Sequence, residues 1–151
     1  MRRFFVKAST LFGVGNYFAP GTLASAITVI FIFLLKFFLA EKIYILLFVF
    51  ISMISFYIVE KALNFFDDKK DPQQIVLDEV VGCLITFINI PNSIINLILG
   101  FILFRFFDIS KILGISSLQN LPRSAGIFFD DILAGIYSNL ILQILILNSW
   151  I

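Results

Sequence analysis

Long apolar runs separated by short polar segments make up most of the chain. Five runs are predicted as helices, at about residues 23–39, 43–59, 72–90, 93–107 and 131–147. At about 1.5 Å of rise per residue, such runs cover most of a hydrocarbon core of about 30 Å. The pattern predicts an all-α fold, a polytopic transmembrane helical bundle with about four to five spans. A shallow hairpin formed by the third and fourth runs is the alternative to two full crossings.

The first 22 residues precede the first predicted span and mix basic with apolar positions. Gly13, Gly15 and Pro20 interrupt the apolar part, which argues against a cleaved signal peptide and favours a short N-terminal interfacial segment. A second local signal is Asp71-Pro72, followed by Gln74. It predicts that the third helix begins there, with Asp71 as N-cap and Pro72 at the first helical position.

Composition supports membrane insertion and excludes several kinds of chemistry. The 151 residues form a single predicted domain, 60% of them are hydrophobic, and only 14% are charged. The net charge of +1, without a basic stripe, argues against a nucleic-acid partner. Because the chain contains no histidine, His-assisted nucleophiles and His-ligated zinc are excluded. Catalysis in this chain would have to use carboxylates, Lys, Arg, hydroxyl groups or a metal ion.

The charged residues gather on one side of the predicted bundle. Of the 11 Lys and Arg residues, only Lys36 and Lys42 fall on the opposite side, so the positive-inside rule makes the crowded side cytoplasmic. Of the 10 acidic residues, only Glu41 falls on the opposite side. Acidic residues do not enter the rule, so their asymmetry is an independent indication of a functional face.

Two acidic pairs lie beside apolar runs on that face. They are Asp78-Glu79 and Asp130-Asp131. Asp78 follows Asp71 by seven residues, which is nearly two helical turns, so the two side chains would lie on the same helix face. Carboxylates at this depth are costly unless they are paired or bind a cation, and an all-oxygen set favours Mg²⁺, Ca²⁺ or Mn²⁺ over zinc. The alternatives are plain N-capping by Asp71 and solvation of the pairs by lipid headgroups. Small residues that follow each pair would let the helices approach closely.

Arg105, Asp108 and Lys111 recur at three-residue intervals, which places them on one side of a helix. Cations beside a metal site suit the nonbridging oxygens of a phosphate, although a surface ion pair would give the same pattern. Thr22 and Ser25, which follow Gly21, offer hydroxyl groups at the same interface.

Four strings in this order resemble the phosphatidylglycerophosphatase A family across nearly the whole chain. They are Phe18-Ala19-Pro20-Gly21-Thr22 with Ser25, Asp71 through Glu79, Arg105 through Lys111, and Gly126 through Asp131 with Ala134-Gly135. The resemblance implies Mg²⁺-dependent hydrolysis of phosphatidylglycerophosphate to phosphatidylglycerol and phosphate at the bacterial inner membrane. The substrate would be a phospholipid in the bilayer, and the sequence does not indicate an oligomeric state.

The site residues follow from that resemblance. Asp78, Glu79, Asp130 and Asp131, with Asp71, would bind one or two Mg²⁺ ions. Arg105 and Lys111 would bind the phosphate, with Thr22 and Ser25 as further contacts. Asp78, Asp130 and Asp108 are the candidate catalytic carboxylates, and either water or a carboxylate would attack the phosphorus. A small cation transporter or a non-catalytic membrane subunit is the competing interpretation.

Overall fold

The computed structural model describes residues 1–66 and 72–151, so the predicted cap and metal ligand Asp71 lies outside the described residues. These residues form helices and turns without a strand, which confirms the all-α prediction for the described part of the chain. The helices are α1 Arg2–Ser9, α2 Pro20–Phe38, α3 Glu41–Ala62, α4 Leu77–Thr86, α5 Ile94–Ser110, α6 Ile115–Leu118 and α7 Ser124–Leu147. Short 3-10 segments cover Leu11–Asn16 and Leu63–Phe65.

Within residues 1–66 and 72–151, three helices are long and apolar enough to cross a membrane: Pro20–Phe38, Glu41–Phe65 and Ser124–Leu147. Helix α5 has 17 residues. Helix α4 has only 10 residues, which correspond to a helix length of about 15 Å. The predicted count of about four to five spans is therefore not confirmed beyond these three. The interfacial position of the N-terminal segment likewise stays a prediction.

Helix α4 lies at the centre of the bundle and packs against α2, α3, α5 and α7. Most of its side chains are buried, including Val81, Cys83 and Leu84. A helix enclosed by other helices contacts little lipid and need not match the thickness of the bilayer. Its position in the bundle explains how so short a helix fits into a membrane protein.

The carbonyl groups at the carboxyl end of α4 are bound by polar side chains from neighbouring helices. Lys36 Nζ donates to the carbonyl oxygens of Phe87 and Ile90 at 2.7 and 2.8 Å. Asn139 Nδ2 donates to the carbonyl oxygens of Thr86 and Ile88 at 2.9 and 2.8 Å. These bonds satisfy the carbonyl groups of the last residue of α4 and of the turn that follows it, where no further helical amide is available.

The predicted start of this helix at Pro72 is wrong, because the helix begins at Leu77. Residues 72–76 form a turn instead, in which the Ile75 amide donates to the Pro72 carbonyl at 2.8 Å. The Val76 amide donates to the Ser9 carbonyl of the N-terminal segment at 3.0 Å. Gly15 also packs directly against the backbone of Gln74. Contacts with the N-terminal segment thus replace helical hydrogen bonds in residues 72–76. As a result, Asp78 and Glu79 lie in the first turn of α4 rather than two turns inside the helix.

Two glycines allow α4 and α7 to pack closely. A Cβ atom added at Gly135 would lie 2.5 Å from the Gly82 carbonyl oxygen, and one added at Gly82 would lie 2.9 Å from the Asp131 carbonyl oxygen. Neither distance can accommodate a methyl group without a shift of the backbone. The expected close approach at these small residues is confirmed, and it brings Asp131 next to the first turn of α4.

We predict that Gly135→Ala destabilises the protein by about 1–3 kcal/mol, because the added methyl group must separate two packed helices. Thermal unfolding of the purified protein in detergent would measure the effect as a lower midpoint.

Leu140→Ala is the control, since Leu140 lies on the exposed side of the same helix with 51% of its surface accessible. A Gly135→Ala midpoint no lower than that of Leu140→Ala would contradict the packing argument.

Candidate active site

An open cavity of about 750 Å³ lies at the end of the bundle where α2, α4 and α7 begin and α5 ends. Its walls contain every predicted site residue that the structure describes, except Ser25. The lining residues are Tyr17, Phe18, Ala19, Pro20, Gly21, Thr22, Gln73, Ile75, Asp78, Glu79, Arg105, Asp108, Ile109, Lys111, Gln119, Asp130 and Asp131. Residues that are up to 114 positions apart in the chain therefore share one surface.

Three carboxylates of the cavity lie close together and are called the three-carboxylate group below. One oxygen atom from each of Asp78, Glu79 and Asp131 lies within 4.8 Å of the other two. Glu79 Oε2 and Asp131 Oδ2 are buried without a hydrogen-bond donor in the described part of the chain. Buried anionic oxygens at this spacing repel one another and are costly to desolvate. The all-oxygen chemistry of the three side chains, together with the buried oxygen atoms of Glu79 and Asp131 that find no donor among the described residues, fits a divalent cation such as Mg²⁺.

Asp130 accepts several hydrogen bonds beside the three-carboxylate group. Its Oδ2 atom accepts hydrogen bonds from Lys111 Nζ at 2.7 Å and from Gln119 Nε2 at 3.0 Å. Its Oδ1 atom accepts from the backbone amide of Asp131 at 3.1 Å. The structure thus divides the second acidic pair, with Asp131 in the three-carboxylate group and Asp130 among hydrogen-bond donors beside it.

Asp108 connects the two cations of the cavity. Its Oδ2 atom lies 2.5 Å from Arg105 Nη1, and its Oδ1 atom lies 2.9 Å from Lys111 Nζ. All three side chains are mostly buried, with 10–24% of their surface accessible. Buried, charge-assisted hydrogen bonds of this kind hold both cations in fixed directions.

Lys111 also contacts both residues of the second acidic pair, at 2.7 Å from Asp130 and 3.5 Å from Asp131. Burial lowers the pKa of Lys111, but Asp131, Asp108 and Asp130 outweigh it and raise the pKa above its ordinary value. Lys111 is therefore a permanent positive charge at the site near neutral pH.

The hydroxyl residues near the start of α2 have different positions. Thr22 lines the cavity, whereas Ser25 is fully buried behind the wall. Ser25 Oγ donates to the Gly21 carbonyl at 2.7 Å and accepts a long hydrogen bond from Arg105 Nη1 at 3.4 Å. Ser25 therefore positions Arg105 in this structure and does not face the cavity.

Gly21 is required at this point for steric reasons. A Cβ atom there would overlap the carboxylate of Glu79 and lie 3.2 Å from Arg105 Nη1. The absence of a side chain at Gly21 thus leaves room for an acid of the three-carboxylate group and for a cation beside it.

Sequence reasoning missed Gln119, whose amide donates to Asp130, and the rim residues Tyr17, Phe18 and Gln73. Gln119 follows the short helix α6 in a loop, where no periodicity indicates which polar side chain turns inward. Tyr17 and Phe18 are 70% and 98% exposed, and aromatic residues beside an apolar run are the signal that could have identified them as interfacial.

Comparison with known proteins gives two curated relatives and a family match. The sequence matches the phosphatidylglycerophosphatase A family over residues 7–146. It is 34% identical over 147 residues to a Bacteroides thetaiotaomicron protein named as a candidate phosphatidylinositol-3-phosphatase, a match that covers 92% of this chain and 91% of that protein. It is 35% identical over 122 residues to phosphatidylglycerophosphatase A of Haemophilus influenzae, covering 80% and 74% of the two chains. No solved structure matches the chain.

We predict that Lys111→Met lowers the free energy of unfolding by at least about 2 kcal/mol, because it leaves three mostly buried carboxylates without their shared cation. Thermal unfolding in detergent with EDTA would measure the loss without compensation from added divalent ions.

The matched control is Arg123→Met, which removes an ion pair with Glu60 in which the arginine side chain is 52% exposed. An exposed pair contributes about 0–1 kcal/mol, so equal effects of the two substitutions would contradict the prediction.

Proposed function

Because the chain belongs to the phosphatidylglycerophosphatase A family, we propose that it hydrolyses phosphatidylglycerophosphate to phosphatidylglycerol and inorganic phosphate with the aid of Mg²⁺. The chain is a lipid phosphatase with membrane-spanning helices. The observation that carries the proposal is the three-carboxylate group beside Arg105 and Lys111 in one open cavity. Such a set combines ligands for a hard cation with donors for a phosphate.

Asp78, Glu79 and Asp131 are the residues that would hold Mg²⁺, directly or through water. When bound there, Mg²⁺ would polarise the phosphoryl group and lower the pKa of a coordinated water. Among the described residues, these are the acids whose oxygen atoms come close enough together to act as one ligand set. Asp71, the fifth predicted ligand, lies outside the described residues.

Arg105 and Lys111 would bind the nonbridging oxygens of the phosphomonoester. The guanidinium group of Arg105 offers donors in a planar fork, while Lys111 provides a compact charge that can turn between partners. Asp108 contacts both cations and would keep them aimed into the cavity. Ser25 supports Arg105 from behind the wall, and Thr22, which lines the cavity, is placed to contact the phosphate.

Asp130 would act as the general base in this scheme. It lies beside the three-carboxylate group, and hydrogen bonds from Lys111 and Gln119 hold its Oδ2 atom in place. The carboxylate would take a proton from the attacking water as the new P–O bond forms. The glycerol oxygen would leave with the electron pair of the broken P–O bond and take a proton from solvent, which gives phosphatidylglycerol. A carboxylate nucleophile that forms an aspartyl-phosphate is the alternative route.

We place the active site at the cytoplasmic face of the bacterial inner membrane. The excess of Lys and Arg on the cavity side supports that orientation. The charged residues of the three candidate spans among the described residues lie within eight residues of a helix end, and such a distribution suits an interfacial enzyme better than a transport path across the bilayer.

Phosphatidylinositol 3-phosphate is the second candidate substrate, because one similar protein carries the corresponding name. Both lipids present a phosphomonoester near a membrane surface, so the same carboxylates and cations could serve either. Phosphate release from the two lipids, compared at equal surface concentration, would identify the preferred headgroup.

We predict that the purified enzyme releases phosphate from phosphatidylglycerophosphate with Mg²⁺ and stops when EDTA is added. Asp78→Asn and Asp131→Asn should each lower the rate by about a hundredfold or more, because each removes a charge that binds the metal.

Glu60→Gln serves as the control, since Glu60 pairs with Arg123 and Ser124 outside the cavity. Absence of phosphate release from the wild type, or full activity of either Asn variant, would refute the proposed function.

We predict that Asp108→Asn raises KM for the lipid by about tenfold, because Arg105 and Lys111 lose the carboxylate that orients both of them. The Mg²⁺ concentration for half-maximal activity should change little, since Asp108 lies outside the three-carboxylate group. Steady-state kinetics at varied lipid and varied Mg²⁺ would separate the two effects. An altered Mg²⁺ requirement with unchanged KM would assign Asp108 to the metal instead.

A further inference from the structure

A pocket of about 440 Å³ lies between α1 and the 3-10 turn that follows α3. Its lining residues are Arg2, Arg3, Val6 and Lys7 from α1 and Phe65 from the turn. We call it the basic pocket, because three of these five residues carry a positive charge. Within the described chain it shares no lining residue with the active-site cavity, so it is a separate place on the molecule.

The positive charge of the basic pocket is not balanced by acids in the described part of the chain. There, none of its three cations forms an ion pair, and no acidic side chain lines the pocket. Arg2 lies over the ring of Phe65, with 5.8 Å from Cζ to the ring centre, which is a cation–π contact and leaves the charge unpaired.

The sequence beside the pocket does not remove this excess of positive charge. Residues 67–71 follow Phe66 and contain three Asp and two Lys, which is a formal charge of −1. Together with the +3 of Arg2, Arg3 and Lys7, the total is +2. An anion is therefore the ligand that the charge of this region favours.

The contacts of α1 support a position at the level of the lipid headgroups. α1 packs along α3, a candidate span that ends with its 3-10 continuation at Phe65. The ring centres of Phe5 and Tyr57 are 6.1 Å apart, Tyr57 is 56% exposed, and Lys61 Nζ lies 5.6 Å from the centre of the Tyr57 ring. Exposed aromatic and basic side chains near the end of a span are typical of the membrane–water interface.

We propose that the basic pocket binds the headgroup of an anionic phospholipid. Arginine and lysine donate charge-assisted hydrogen bonds to the oxygens of a phosphodiester. A headgroup with net negative charge also offsets the remaining positive charge, which a zwitterionic headgroup does not. A lipid is the occupant rather than a free anion, because the pocket lies beside the exposed side of a candidate span, where headgroups are present at high local concentration.

A headgroup in this pocket would attach to the bilayer the segment that shapes the start of α4. α1 ends at Ser9, whose carbonyl oxygen accepts a hydrogen bond from the Val76 amide at 3.0 Å, immediately before α4. Gly15 of the same segment packs against Gln74. The site thus goes beyond the proposed hydrolysis and does not depend on it.

The test measures the dissociation constant of dihexanoyl phosphatidylserine for the full-length protein in a zwitterionic detergent, by isothermal titration calorimetry. This lipid is anionic and is neither substrate nor product of the proposed reaction. We expect Lys7→Gln and Arg3→Gln each to raise Kd by about fivefold. The matched control is Lys42→Gln, which also removes one exposed lysine charge, at the start of α3 and so at the opposite end of the bundle. It should leave Kd unchanged.

Dihexanoyl phosphatidylcholine and sodium phosphate are the comparison ligands, and both should bind more weakly than phosphatidylserine. A higher Kd in Lys7→Gln or Arg3→Gln, with none in Lys42→Gln, would support the site. An unchanged Kd in both variants, or an equal rise in Lys42→Gln, would overturn it.

Equally tight binding of phosphatidylcholine or of sodium phosphate would also overturn the assignment to an anionic lipid. If one variant has a lower unfolding midpoint than the wild type, the other decides the outcome. Since no measurement requires hydrolysis, failure of the proposed function would not affect this result.

Discussion

The contact between α4 and α7 brings two acidic pairs together inside an apolar bundle. Gly82 and Gly135 remove the side chains that would keep the helices apart, so Asp131 comes into range of Asp78 and Glu79. Close approach at small residues is a common way to gain packing between helices in a membrane. Here the same approach concentrates negative charge, and the rest of the site can be understood as a response to that charge.

Five carboxylates line the cavity, and Arg105 and Lys111 are the cations that line it among the described residues. Asp108 and Asp130 are hydrogen-bonded to those cations, whereas Glu79 Oε2 and Asp131 Oδ2 are buried without a donor in the described part of the chain. The imbalance falls on buried oxygen atoms, where a charge is most costly to desolvate. Such a site carries uncompensated negative charge until a cation binds to the three-carboxylate group. Arg105 and Lys111 can still bind the negatively charged phosphate beside it.

Helices and acidic pairs could be predicted from sequence because both depend on composition and local spacing. The apolar runs predicted α2, α3 and α7 as long helices. Acidic residues beside apolar runs are costly to desolvate, and this cost indicated Asp78 and Asp131 as site residues. The start of α4 was not predictable in this way, since Pro72 and Gln74 carry good local signals that contacts with Ser9 and Gly15 override. Gln119 and the buried position of Ser25 depend on loop and helix packing, which no local pattern encodes.

The tethered carboxyl end of α4 has a consequence for how the protein is assembled in the membrane. Lys36, which binds the carbonyl groups of Phe87 and Ile90, is synthesised before α4, while Asn139, which binds those of Thr86 and Ile88, is synthesised after it. A ten-residue helix with two acids in its first turn has little tendency to enter lipid by itself. Biogenesis would therefore hold α4 near the insertion machinery until α7 emerges, and the catalytic cavity would form only as the last helix enters the bilayer.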